Sequence, residues 1–110
     1  MSRVDWLCES KSGKKFACEL KLRNTLKYPD IFIEPQKYSY LMGLEGYIPL
    51  FINMCTENGV TEILVFDLRK CKIVDKGMVS IWSHPDKCYM MVHRYAINKK
   101  YAYRFINNCE

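Results

Sequence analysis

Five residues, Ser10-Lys11-Ser12-Gly13-Lys14, constrain the fold more tightly than any other stretch, because they join two extended segments and leave few ways of pairing them. The segments are Val4 to Glu9 and Lys15 to Arg23, and both have the composition of strands. A three-residue loop Lys11-Ser12-Gly13 needs a left-handed residue where it closes, and glycine takes positive φ without steric penalty. Ser10 then faces Lys14, paired residue numbers sum to 24, and Asp5 falls opposite Glu19. A two-residue Ser12-Gly13 loop gives an odd sum instead and puts Asp5 on the face of Leu20. The first register suits the chain: Phe16, Cys18, Leu20 and Leu22 make one apolar row, and Ala17, Glu19, Lys21 and Arg23 make the other.

Downstream, Asn24 to Ile33 reads as a loop with a short extended piece, ending at Glu34-Pro35, where proline suits the first turn of a helix. The helix is predicted from about Pro35 to about Glu45, with Gly46 as its C-cap. Ile48 to Cys55 and Glu62 to Leu68 are predicted as two core strands joined by a hairpin turn at Glu57-Asn58-Gly59. Met78 to Trp82 and Cys88 to Ala96 are further strands, and Lys99 to Ile106 fits strand or helix. The expected fold class is α/β or α+β, with a mixed central β-sheet and few helices. Trp6 and Trp82 are expected in or beside the core.

A chain of 110 residues is one domain by length, residues 1–110, large enough for a real core. Hydrophobic residues at 49% and charged residues at 26% match ordinary globular usage, which excludes disordered and fibrous classes. No apolar run approaches the roughly 18 residues of a membrane span, and MSRVDWLCES lacks the apolar stretch of a signal peptide. The expected location is therefore cytoplasmic, with no membrane partner. Six cysteines without C-x-x-C spacing read as reduced, mostly buried thiols. His84 and His93 with Cys88 form the alternative metal cluster, at spacings unusual for zinc. A net charge of +5 favours polyanionic partners, although the basic residues are spread along the chain.

Asp5, thirteen intervening residues and then Glu19-Leu20-Lys21 place two carboxylates and an amine on adjacent strands. Two carboxylates hold a hard divalent cation through oxygen, and the backbone carbonyl of Leu20 supplies a third ligand. Such a cation polarises a phosphate and lowers the pKa of bound water. Lys21, two residues on from Glu19, shares its face and can orient that water or stabilise developing negative charge. The hairpin DWLCESKSGKKFACELK resembles the metal-binding hairpin of the PD-(D/E)XK nuclease superfamily, with Val4 where the name has proline. A second element agrees: Gln36 and Tyr40, at i and i+4 on the predicted helix, resemble the Q-x-x-x-Y that follows E-x-K in the exonuclease branch.

The resemblance covers roughly Asp5 to Arg69. It implies a restriction-endonuclease-like core, a Mg²⁺ or Mn²⁺ cofactor held by Asp5, Glu19 and Leu20, and catalytic roles for Asp5, Glu19, Lys21, Gln36 and Tyr40. It also implies hydrolysis of phosphodiester bonds in nucleic acid, DNA by preference, with branched or repair intermediates among the substrates. Arg23, Lys27, Lys37, Tyr38 and Tyr40 are the residues placed to meet phosphates or stack on bases. Relatives begin with a helix before the first acid, and here only Met1 to Val4 precede Asp5. An uncovered apolar sheet face follows, and with it the expectation of a homo-oligomer. The rival functions are a catalytically silent nuclease-like domain that binds nucleic acid or protein, and a structural subunit with a chance D…E-x-K. Pro29-Asp30 is a decoy, since Glu34-Pro35-Gln36 follows it, and Pro85-Asp86-Lys87 reads as a turn.

Overall fold

The structure, a computed structural model, describes residues 4–108. Its eight strands run in the order β1 (Trp6–Glu9), β2 (Lys15–Leu22), β3 (Asp30–Ile33), then helix α1 (Pro35–Met42), β4 (Ile48–Glu57), β5 (Val60–Asp67), β6 (Ile73–Ser83), β7 (Cys88–Asn98) and β8 (Tyr103–Asn108). They form two sheets: five strands in the order β1-β2-β4-β5-β8, and three in the order β3-β7-β6. In the five-stranded sheet only β2 and β4 run parallel. The class is thus mixed α+β with one helix, as expected, but the single central sheet is corrected to two. The split follows from β3, which leaves β2's sheet and pairs with β7.

The first hairpin has the expected register. Ser10 N–H donates to the Lys14 carbonyl at 2.8 Å, Gly13 closes the loop at φ +87°, and Glu9 pairs with Lys15 and Trp6 with Cys18. The β4–β5 hairpin turns on Asn58 and Gly59 at φ 53° and 75°, the left-handed pair of a type I′ turn. The helix is shorter than expected. It stops at Met42, where Gly43 caps it and donates to the carbonyls of Ser39 and Tyr40 at 3.0 and 3.2 Å. Leu44 and Tyr47 turn back onto the core at that point, and Gly46, at φ +81°, makes the reversal that leads into β4.

The core lies between the sheets and under α1, with Ala17, Leu41, Phe51, Phe66, Leu68 and Ile97 at 3% exposure or less. Paired residues on neighbouring strands share a face. On β4, Phe51, Asn53 and Cys55 face inward beside Leu64 and Phe66 of β5. Glu19 pairs with Phe51 and Lys21 with Asn53, so the charged row of β2 also points inward, at the rim of the core. The opposite row, Phe16, Cys18, Leu20 and Leu22, lies on the outer face with Leu50, Ile52 and Met54, where Cys18 is buried and Leu22 is 67% exposed.

Two expectations about burial change. Trp6 and Trp82 are 41% and 44% exposed, Trp6 on the outer face and Trp82 in the β6–β7 hairpin, where it meets the Tyr89 ring at 5.1 Å. The five described cysteines are free thiols, but Cys8 and Cys88 are exposed while Cys18 and Cys55 are buried. Among the described residues no helix is long and apolar enough to cross a membrane.

Candidate active site

Asp5 lies one residue before β1, where the ladder with β2 has become irregular. Its N–H donates to the Cys18 carbonyl at 3.0 Å, one residue short of the hairpin register, and its Oδ2 accepts the Leu20 N–H at 2.7 Å. The side chain thereby does what a backbone acceptor would do in a longer β1, and ties the first acid to the strand that carries Glu19-Leu20-Lys21. The N–H and carbonyl of a strand residue leave on the same side, so the Leu20 carbonyl points along the edge that Asp5 occupies.

Glu19 projects inward at the rim of the core, with its side chain 15% exposed. Its Oε1 is buried, and the Lys37 ammonium stands 3.4 Å from it as an ion pair. Burial pushes the carboxyl above its ordinary pKa; Lys37 opposes the shift, and the nearby Asp5 charge adds to it. Burying a carboxylate is costly, and a cation at its oxygen is one way of offsetting that cost. Asp5, Glu19 and the Leu20 carbonyl are the oxygen donors here that could hold a hard divalent cation, with the Lys37 ammonium competing for Glu19. Among the described residues no group of three or more His, Cys, Asp or Glu is placed to hold a metal.

Helix α1 walls the site. Gln36 and Tyr40, on one helix face, line an open cleft with Glu19, Glu34 and Lys37. A second cleft of about 250 Å³ continues from Glu19 along the inner row of β2, past Lys21, Arg23, Glu34, Lys37 and Arg94, over a floor of Phe51, Ile33 and Ile81. Four cations here face two carboxylates, Glu19 and Glu34. Lys21 is exposed and Arg23 half-buried. Arg23 donates from Nε to Asn53 Oδ1 and from Nη2 to the Phe32 carbonyl, each at 2.8 Å, and so ties β2 to β4 and to the free edge of β3.

Two sequence candidates lie elsewhere. Tyr38 turns from the cleft and packs edge-on against Tyr95, 5.6 Å between centroids, and its burial raises the phenol pKa. Lys27 sits over the Tyr28 ring beside a separate pocket lined by Leu26, Glu57 and Lys99. His93 bonds Asp75 at 2.6 Å, at the irregular step of the β6–β7 ladder, and His84 stacks edge-on against Trp82.

Two residues of the site, Glu34 and Asn53, carried no motif in the sequence, whereas Lys37, expected to meet phosphates, pairs with Glu19. Asn53 alone had a signal, as the one polar side chain within Ile48 to Cys55. Comparison with family models, curated proteins and solved structures gives no match for this chain.

Proposed function

We propose that this chain is a metal-dependent nuclease with a restriction-endonuclease-like core, hydrolysing phosphodiester bonds in DNA. The observation that carries this reading is the pairing of Asp5 with the strand of Glu19-Leu20-Lys21, which sets a second carboxylate, the buried Glu19, beside it. Mg²⁺ or Mn²⁺ held by Asp5, Glu19 and the Leu20 carbonyl would supply Lewis acidity to the phosphate and an acidified water. Lys21, on the inner face beside Glu19, is positioned to hold a water or an anionic phosphate oxygen by its ammonium. Gln36 and Tyr40 offer an amide and a hydroxyl from the helix wall toward whatever enters the cleft. The positive excess around the second cleft favours a polyanion over a neutral substrate.

A specific observation favours the silent-domain alternative: the Lys37 ammonium already neutralises Glu19, as a cation would. Plasmid and branched DNA, incubated with Mg²⁺ or Mn²⁺ and wild type, Glu19→Ala or Lys21→Ala, decide between them. Cleavage by wild type that both substitutions abolish, with folding retained by circular dichroism, supports the enzyme. Binding without cleavage under either metal supports the silent domain and refutes the nuclease.

A further inference from the structure

Arg23 and Arg94 come to the second cleft from different sheets, and the charge of Arg94 is felt at Arg23. Neither guanidinium has a carboxylate within 4.0 Å among the described residues. Arg23 is held on two sides, by Asn53 Oδ1 and the Phe32 carbonyl, which leaves Nη1 for another acceptor. Asn53 beneath it is 0% exposed, with its own amide nitrogen unpartnered, so its one bonded group, the acceptor Oδ1, is spent on fixing Arg23. Among the described residues Arg94 donates to the carbonyl of its neighbour His93, at 2.9 Å, and to no other. Two like charges held together without an anion repel, and a phosphate between them turns that repulsion into two charge-assisted pairings.

We propose that Arg23 and Arg94 form a backbone-phosphate subsite, which holds the nucleic-acid strand at a phosphate neighbouring the one at Glu19 and Lys21. The subsite rests on the nuclease reading for its ligand, and Asn53 is its positioning residue. The row Glu19, Lys21, Arg23 advances about 6.6 Å per step along β2, so one strand laid along the row can touch all three positions. The arrangement reads phosphate and not base, and therefore predicts affinity without sequence preference.

The test is fluorescence anisotropy with a labelled single-stranded oligonucleotide in EDTA, where nothing is cleaved, over a series of salt concentrations. Arg94→Gln is the informative variant because its side chain makes no tertiary hydrogen bond among the described residues. It should weaken binding about tenfold and lower the slope of log K against log salt by about one, whereas Lys11→Gln at the hairpin tip leaves both unchanged. Wild-type affinity and slope in Arg94→Gln overturn the subsite while leaving the nuclease reading standing. A weakened Arg94→Gln in a wild type that never cleaves upholds the subsite and removes the nuclease. No binding by wild type overturns the subsite.

A different observation carries a second inference. The outer face of the five-stranded sheet is apolar from Trp6 and Leu22 to Tyr103 and Phe105, which are 41%, 67%, 56% and 57% exposed. The register brings one charged residue to it, Asp67, at the rim and already paired with Arg69 at 2.8 Å. Five strands spaced about 4.8 Å and some seven residues long give a face of roughly 600 Å², at the upper end of the ordinary surface patch and three quarters of the ~800 Å² per partner of a standard interface. We infer that a second copy of this chain covers it, sheet against sheet about a two-fold axis. Copies that each carry +5 repel elsewhere, and an uncharged face is where they can meet. Glu19 and Lys21 point the other way, so the two clefts of the dimer open on opposite sides.

Light scattering on the full chain should give twice the 13.1 kDa of one chain at 100 µM, with dissociation on dilution. Leu22→Glu and Phe105→Glu, both at exposed positions, should each give the single-chain mass with unchanged circular dichroism. A wild type of single-chain mass at 100 µM, a mass above two chains, or charged variants that still dimerise each overturn the inference.

Discussion

If the buried oxygen of Glu19 exists to hold a cation, then without the cation Glu19 is a liability to the fold, and Glu19→Gln should stabilise the protein. Burial of the charged Oε1 costs about 1–3 kcal/mol, and the loss of the Lys37 ion pair, with side chains 19% and 15% exposed, gives back about 0.5–1 kcal/mol. The net gain is on the order of 1 kcal/mol, or about 4 °C in Tm for a domain of this size. Because burial raises the Glu19 pKa, the stability linked to its protonated form is present below the ordinary glutamate value and is lost as pH rises through the raised one. The advantage of Glu19→Gln is therefore largest at pH 7 and shrinks toward pH 4. Thermal melts in EDTA at both pH values measure it, and Mg²⁺ at ten times its dissociation constant should add about 1.4 kcal/mol to wild type and nothing to the variant. A Glu19→Gln protein less stable than wild type in EDTA at pH 7 refutes the reasoning and makes Glu19 a structural partner of Lys37.

Lys37→Gln should tighten Mg²⁺ binding about tenfold in the same melts, because an ammonium 3.4 Å from Oε1 repels a dication at the same oxygen; unchanged affinity places the metal elsewhere. Asp67→Ala removes the acceptor for the Arg69 N–H, Nε and Nη2 at 3.1, 3.0 and 2.8 Å, and should cost about 2 kcal/mol in urea unfolding. Asp67's bonds to the Arg69 side chain hold its pKa below the ordinary value, so that contribution is present above the ordinary aspartate pKa and is lost as pH falls through the lowered one. Phe66→Ala, at 0% exposure between the sheets, should cost about 3–5 kcal/mol and leave too little stability for a cooperative melt.

The parts of the fold legible in the sequence are those set by local turn chemistry. Gly13 and Asn58-Gly59 need positive φ, and they fixed the register of both hairpins that carry the inner and outer rows. The second sheet was not legible, because the pairing of β3 with β7 joins residues more than 60 apart and no local signal encodes it. Helix α1 ended early for a tertiary reason, the return of Leu44 and Tyr47 to the core. At the site, Glu19, Lys21 and Arg23 lie on one row because a strand has period two, and Gln36 with Tyr40 follow from helical period. Arg94 and Lys37 come from other elements, so only the folded packing brings them to Glu19 and Arg23.

The two rows of β2 also explain why one hairpin can set both the site and the outer face. Strand β2 is pinned to β4 by seven paired residues, from Phe16 opposite Ile48 to Leu22 opposite Met54, while β1 is an edge strand with four. Deleting Leu7 from β1 should therefore leave β2 and the loop in place and shift the residues before it by one, since the longer pairing holds against the shorter. Trp6 would leave the outer face, and Asp5 would take its place opposite Cys18 and no longer reach the Leu20 N–H that it holds at 2.7 Å. The expected outcome is a folded protein whose Mg²⁺ stabilisation is lost although Glu19, Lys21 and Arg23 are untouched. Retention of the wild-type Mg²⁺ shift in that deletion would mean that the cation does not need Asp5, and that the hairpin register serves the sheet alone.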